Sequence, residues 1–154
     1  MFKIGTSKVD ITPPIGMPHA NWGSSIHQVA EGVDMPMYCN VLYLESESSK
    51  NKVIILDFDL CSMSEEIDSM VRDAVISEVD IPKENIRVSM SHTHAGPPYG
   101  KDDSNGGGWI TEGVELINPY YDTFPAKISN AVREAFSSLT NCNISYGKGI
   151  SDIN

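Results

Sequence analysis

The sequence predicts an α/β fold in which helices pack on a mixed β-sheet, and three observations favour it. Two apolar segments, residues 38–45 and 53–60, flank a polar turn and indicate a hairpin. A helical pattern follows, and a further strand begins near residue 85. A helical connection of this length crosses over the sheet, so we expect this strand to lie parallel to the second hairpin strand.

The strands and loops are assigned from the first residue onward. Residues 2–10 alternate loosely and predict a first strand. Two prolines at 13 and 14 exclude regular structure over residues 11–16, and the Gly-, Ser- and polar-rich residues from 17 to about 33 predict a long irregular loop. The segment 53–60 starts with four consecutive apolar residues, which is typical of a strand covered on both faces. We expect a loop over 99–113 and a last short strand over 143–147.

Two helices are predicted from their apolar periodicity. The first has the pattern of a capping box, with Ser62 at the N-cap and Glu65 at N3. The second starts at Asn118 or near Asp122, and Pro125 favours the later start because it would then lie in the first turn. Their apolar faces comprise Ile67, Met70, Val71, Ala74 and Val75 in the first helix and Phe124, Ile128, Ala131, Val132, Ala135, Phe136 and Leu139 in the second.

Composition limits the classes of partner. The chain has 154 residues, enough for one domain or a piece of a larger one. Its formal net charge of -10 argues against nucleic acid or an anionic lipid surface as the main partner. No apolar run approaches the ~18 residues that an integral membrane segment needs.

The cysteines and the N-terminus bear on the compartment. The chain has three cysteines, Cys39, Cys61 and Cys142, and this odd number in scattered positions gives neither a disulfide framework nor a metal-binding pair. Cys39 and Cys61 are predicted to be buried, unreactive thiols. Unpaired cysteines and the absence of a signal-like stretch favour a cytoplasmic location and leave localisation open.

Two histidines stand out at the end of the strand that begins near residue 85. His92 and His94 are separated by one residue, so on a strand both side chains would emerge on the same face. Neutral imidazoles so placed can bind zinc or a related metal. Chance and core packing also produce this spacing, but the Gly/Pro loop that follows at residues 96–100 favours a site.

Two aspartates end the preceding strand in a similar pattern. Asp57 and Asp59 are candidates for metal ligands, or for hydrogen-bond acceptors that orient the histidines without contacting the metal. The alternative, which the preference of aspartate for caps favours, is that they cap the following helix or turn. His19 and His27 are interpreted as solvated loop residues, and the three glycines at 106–108 either form a lid over the histidines or a mobile surface loop.

Several strings of residues, in the same order, resemble the neutral/alkaline non-lysosomal ceramidase family. The most specific are an Asp-Ile-Thr-Pro-Pro string at 10–14 and a Ser-His-Thr-His-Ala-Gly-Pro string at 91–97. The resemblance implies a zinc-dependent amidase that cleaves ceramide or another N-acyl substrate. It implies that His92 is a zinc ligand and that His94 lies beside the metal and acts on the reacting carbonyl.

The resemblance covers only the N-terminal part of the family's catalytic domain. The family's other zinc ligands (a later His, a Glu and a Tyr) and its active-site Ser and Arg are expected beyond Asn154, which resembles the start of the family's Asn-Arg. Residues 1–154 are therefore predicted to be the N-terminal portion of a ceramidase-like hydrolase domain, an incomplete half of a larger α/β catalytic domain. Alone, this portion should be inactive and should expose apolar faces that favour self-association. The alternatives are a non-catalytic binding or assembly domain of the same fold, and an enzyme for another amide or ester.

Overall fold

One mixed sheet organises the chain in the computed structural model, which describes residues 1–19, 26–101 and 110–152. Within these residues the sheet has five strands in the order β4-β3-β2-β1-β5. They are β1 (Phe2–Asp10), β2 (Tyr38–Ser46), β3 (Lys52–Phe58), β4 (Ile86–Met90) and β5 (Thr140–Cys142). Only β3 and β4 pair in parallel, and the other pairs are antiparallel. The predicted α/β fold with a mixed sheet is confirmed.

The hairpin and the crossover also have the predicted form. Strands β2 and β3 pair from Cys39 opposite Phe58 to Glu45 opposite Lys52. Helix α1 (Glu65–Glu78) connects β3 to the parallel β4. This connection brings the carboxyl ends of β3 and β4 to the same edge of the sheet, where the histidines follow.

Helix α1 begins two residues later than its capping box predicts. The N-cap is Ser64, whose hydroxyl accepts a hydrogen bond from the Ile67 backbone N–H, so the prediction of Ser62 at the N-cap with Glu65 at N3 is wrong. The sequence offers a serine at both positions, and a long-range contact selects the second. The Ser64 N–H donates to the carbonyl oxygen of Tyr99 at 2.7 Å, which ties the helix start to the loop after β4.

Two consecutive helices occupy the region in which one was predicted. Helix α2 (Ile117–Asp122) is short, and α3 (Phe124–Ser137) follows it with Pro125 in its first turn, as expected. The starts suggested by Asn118 and by Asp122 therefore correspond to separate helices. The buried face of α3 consists of Phe124, Ile128, Ala131, Val132 and Ala135.

The last strand lies before the predicted segment 143–147. Strand β5 pairs with the first residues of β1, from Ile4 opposite Thr140 to Phe2 opposite Cys142. The short turn after α3 brings residues 140–142 to this edge of the sheet, so pairing is complete before the predicted segment begins. Ile144 and Tyr146 are exposed.

The described helices cover one face of the sheet more completely than the other. Tyr43, Leu56 and Phe58 belong to the buried core that the sheet shares with α1 and α3. On the opposite face Ile55 is only partly buried and Val53 is 39% exposed. The expectation that β3 is covered on both faces therefore holds for one face among the described residues. No described helix is both long and apolar enough to cross a membrane.

Candidate metal centre

The segments that follow β3 and β4 are joined backbone to backbone. The Ser91 N–H donates to the carbonyl oxygen of Phe58, and the His92 N–H donates to that of Leu60, both at 2.9 Å. These bonds continue the parallel pairing beyond the strands. They place His92 directly beside Cys61, the residue that follows Leu60.

The two histidines come from a loop rather than from the strand itself. Strand β4 ends at Met90, and His92 has a left-handed backbone with φ of 61°. The imidazole rings of His92 and His94 nevertheless lie together, with centroids 5.0 Å apart and planes nearly perpendicular at 89°. The pair therefore emerges together as expected, but through loop geometry and not through strand alternation.

The ring of His92 has a defined orientation. Its Nδ1 lies 2.9 Å from the carbonyl oxygen of Cys61. Because a carbonyl oxygen only accepts, Nδ1 carries the proton and donates it. The Nε2 atom then holds the lone pair, which is the form in which a neutral histidine binds a metal.

Cys61 is the residue of this cluster that sequence reasoning missed. Its side chain is buried, at 3% exposure, as predicted for an inert core thiol. Its Sγ, however, lies 3.7 Å from Nδ1 of His92 and 3.8 Å from Nε2 of His94. The thiol also donates to the Tyr99 hydroxyl at 3.6 Å. The signal that could have found it is its position just after β3, at the edge where β4 also ends.

Cys61, His92 and His94 together form a group able to hold a metal ion. One ligand atom from each lies within 4.8 Å of the other two, and no other group of three or more His, Cys, Asp and Glu side chains of this kind occurs in the described ranges. Cys61 is buried, His94 half-buried and His92 exposed. The donor set of one thiol and two imidazoles suits zinc and similar metals.

Asp57 and Asp59 make other contacts. An Asp57 carboxylate oxygen accepts from the Ser89 hydroxyl at 2.8 Å, and one of Asp59 accepts from the Tyr38 N–H at 2.9 Å. Neither aspartate caps α1, whose N-cap is Ser64. A role for the two carboxylates behind the histidines stays a prediction.

A cleft of about 610 Å³ lies beside the histidine loop. Its lining includes Ser91, Thr93 and Ala95, the residues that alternate with the two histidines, together with Asp59. His19 and His27 also contribute to it, but each has a neighbour of its own. A ring nitrogen of His19 bonds to the Val29 carbonyl at 3.0 Å, and Nδ1 of His27 lies 3.6 Å from Glu31. The glycines at 106–108, interpreted as a lid or a surface loop, fall outside the described residues.

Two helices hold the loop that follows the histidines. Gly96, Pro97 and Pro98 are buried, and the Tyr121 hydroxyl of α2 donates to the Pro98 carbonyl. Ser64 contacts the same loop through Tyr99. Helices α1 and α2 thus fix the segment that carries the histidines.

Comparison with known proteins decides the family. The family model described as neutral/alkaline non-lysosomal ceramidase, N-terminal, matches residues 2–153. The chain belongs to this ceramidase family. No curated protein matches the sequence.

Two solved structures share the fold of this ceramidase-family chain. The neutral ceramidase from Pseudomonas aeruginosa has a TM-score of 0.67 and 20% identity, and the match covers 90% of this chain and 22% of that one. A ceramidase complexed with C2 has a TM-score of 0.66 and 18% identity, with 90% and 21% covered. The ceramidase-family chain therefore spans about a fifth of the length of these two proteins.

Proposed function

We propose that this chain is the N-terminal portion of a metal-dependent hydrolase that cleaves an amide bond in ceramide or another N-acyl substrate. Membership of the ceramidase family supports the class of reaction. The observation that carries the proposal is the His92 and His94 pair, held together at the end of the parallel strands.

His92 is the proposed metal ligand. Its Nδ1 proton is engaged by the Cys61 carbonyl at 2.9 Å, so Nε2 is available to an ion without a change of tautomer. The exposed position of the His92 side chain also leaves room for ligands from elsewhere. A catalytic zinc usually has three protein ligands, and zinc in such a site polarises a carbonyl and activates an attacking oxygen.

His94 is proposed to act on the substrate carbonyl. Its ring centroid lies 5.0 Å from that of His92, close enough to contact a substrate held at the metal. Being half-buried, the ring can exclude water from one side of the reacting group. The chain's part in the reaction is thus to hold the ion through His92 and to orient or polarise the carbonyl through His94.

The test of this proposal is the zinc content of the full-length protein. Mass spectrometry of metal bound to wild type and to His92→Ala should show zinc in the first and a large loss in the second, because the variant lacks the proposed ligand. His27→Ala is the matched control, since this exposed histidine is not one of the three residues of the cluster. Equal zinc in wild type and His92→Ala would remove the claim.

A further inference from the structure

The sulfur of Cys61 lies at ligand spacing from both histidines. In a tetrahedral zinc site with Zn–S of about 2.3 Å and Zn–N of about 2.0–2.1 Å, neighbouring sulfur and nitrogen ligands are about 3.5 Å apart. The Sγ atom of Cys61 is 3.7 Å from Nδ1 of His92 and 3.8 Å from Nε2 of His94. Both distances exceed the tetrahedral value by only a few tenths of an ångström, and the ligand atoms of the three residues all lie within 4.8 Å of one another. Side-chain rotation that brings the two imidazoles closer together would let one ion contact all three.

We propose that Cys61 is a thiolate ligand in a second, inner metal-binding mode formed with Nδ1 of His92 and Nε2 of His94. This mode goes beyond the proposed function, which uses the outward Nε2 of His92 and requires no sulfur. The two modes use opposite nitrogens of the same ring. We call metal binding through Nε2 of His92 the outer mode. It uses the ring that keeps its proton on Nδ1, hydrogen-bonded to the Cys61 carbonyl.

Entry into the inner mode has a defined proton balance. The Cys61 thiol gives up its proton to solvent and becomes the thiolate ligand. Nδ1 of His92 releases its proton to solvent, which breaks its hydrogen bond to the Cys61 carbonyl, and Nε2 takes up a proton from solvent, so the ring stays neutral. His94 binds through an unprotonated Nε2, with its ring proton on Nδ1. The metal replaces the hydrogen bond that Nδ1 made at 2.9 Å and the one that the thiol made to Tyr99.

The donor set determines which ions this mode selects. One thiolate and two imidazoles favour thiophilic ions such as Zn²⁺ and Cd²⁺ over Mg²⁺, Ca²⁺ or Mn²⁺, which prefer oxygen ligands. Burial of Cys61 at 3% exposure also shields a metal–sulfur bond from water. We therefore expect Cd²⁺ to bind with sulfur in its coordination shell and Mn²⁺ to be unable to displace it.

Cadmium titration of the reduced protein tests the proposal. The ultraviolet thiolate-to-cadmium charge-transfer band should appear in wild type and saturate at one ion per chain. Cys61→Ser should lose the band, because a hydroxyl gives no such transition, and Cys61→Ala should lose it as well. Cys142→Ser is the matched control, since Cys142 is a free cysteine on β5, away from the cluster.

The outcomes separate this proposal from the proposed function. A band lost in both Cys61 variants and kept in Cys142→Ser supports the inner mode. If wild type binds zinc through His92 but gives no band, or if the band survives in Cys61→Ser, the inner mode is wrong and the proposed function stands. The ¹¹³Cd chemical shift of the wild-type protein distinguishes sulfur ligation from all-nitrogen ligation and needs no variant. The proposal can therefore be tested even if the Cys61 variants do not fold.

Discussion

At the scale of single residues, His92 has a backbone conformation that non-glycine residues rarely adopt. With φ of 61° it lies in the left-handed region, which costs about 1–3 kcal/mol for a residue with a Cβ. Its N–H bond to Leu60 and its ring bond to Cys61 hold it there. Such strain persists where surrounding structure imposes it, which is common at functional sites.

The same residues show how much of the site the sequence could predict. The spacing of His92 and His94 predicted that they lie together. The proximity of Cys61 to the histidines was not predicted, because it depends on bonds between two segments 31 residues apart in the chain. The sequence signal for it, the position of Cys61 just after β3, becomes informative once β3 and β4 are paired in parallel. A buried thiol in an apolar context indicates packing until the neighbouring loop is placed beside it.

His94→Ala should separate metal binding from catalysis. Because we assign His94 to the carbonyl and not to the outer metal site, the variant should retain the zinc of wild type. Its kcat for ceramide hydrolysis should fall by about 10²–10³-fold, the usual effect of removing a group that stabilises developing charge. Fatty-acid release and zinc content, measured on the same full-length preparation, check this prediction. Unchanged kcat would contradict the role of His94.

Tyr43 should contribute to a loss of stability at high pH. Burial, with the Glu45 carboxylate adding to it, raises the pKa of Tyr43 to about 12. An unfolded tyrosine ionises near pH ~10, so this contribution is fully present below that pH and is lost as pH rises from about 10 towards 12. Burial also raises the pKa of Cys39 and of Tyr120, so several groups act in the same direction.

Urea unfolding measured across that pH range checks the role of Tyr43. Tyr43→Phe should reduce the decline in unfolding free energy without abolishing it, since the other buried groups remain. Tyr146→Phe, at a position 96% exposed, is the control and should leave the decline as in wild type. An identical decline in Tyr43→Phe and wild type would show that this tyrosine makes no contribution.

At the scale of elements, patterns of apolar residues predicted which segments are strands and helices, and long-range contacts decided where they end. The pattern of apolar residues predicted helix α1. The hydrogen bond from the Ser64 N–H to the Tyr99 carbonyl selected Ser64 over Ser62 as the N-cap. The last strand forms at residues 140–142 because the first residues of β1 offer a free edge there. No local pattern contains that information.

Close approach of α3 to β1 makes Gly5 sensitive to substitution. A Cβ at Gly5 would lie 1.8 Å from the carbonyl oxygen of Ala135, a backbone atom that can move only with the helix. Gly5→Ala should therefore lower the free energy of unfolding by about 1–3 kcal/mol or more, as overpacking does. Urea denaturation measures the change.

Gly147→Ala is the matched control for this substitution. A Cβ there would meet nothing within 4 Å, so the effect should stay within about 0.5 kcal/mol. Similar stability losses in both variants would contradict the close packing of α3 on β1.

At the scale of the whole molecule, one face of the sheet carries apolar side chains that the described helices do not cover. Its residues are Ile4, Leu42, Leu44, Val53 and Ile55, which are partly buried or exposed. They pair across neighbouring strands, Ile4 with Leu44 and Leu42 with Ile55, and so form a continuous surface. We refer to it as the outer face.

The outer face should promote self-association of the 154-residue chain when it is produced alone. Exposed contiguous apolar surface favours association, and the net charge of -10 opposes it. Sedimentation velocity should therefore show association that increases with protein concentration and with salt, which screens the repulsion. The double variant Leu42→Thr, Ile55→Thr should reduce it, and a monodisperse monomer at all concentrations would contradict the prediction.

The central claim is that His92 holds a metal ion in a ceramidase-family hydrolase. The most direct measurement is an anomalous difference map, collected at the zinc absorption edge, of crystals of the full-length protein purified with its native metal. We predict a peak at about 2.0–2.1 Å from a ring nitrogen of His92. A zinc peak remote from His92, or no zinc peak in protein that hydrolyses ceramide, would contradict the account.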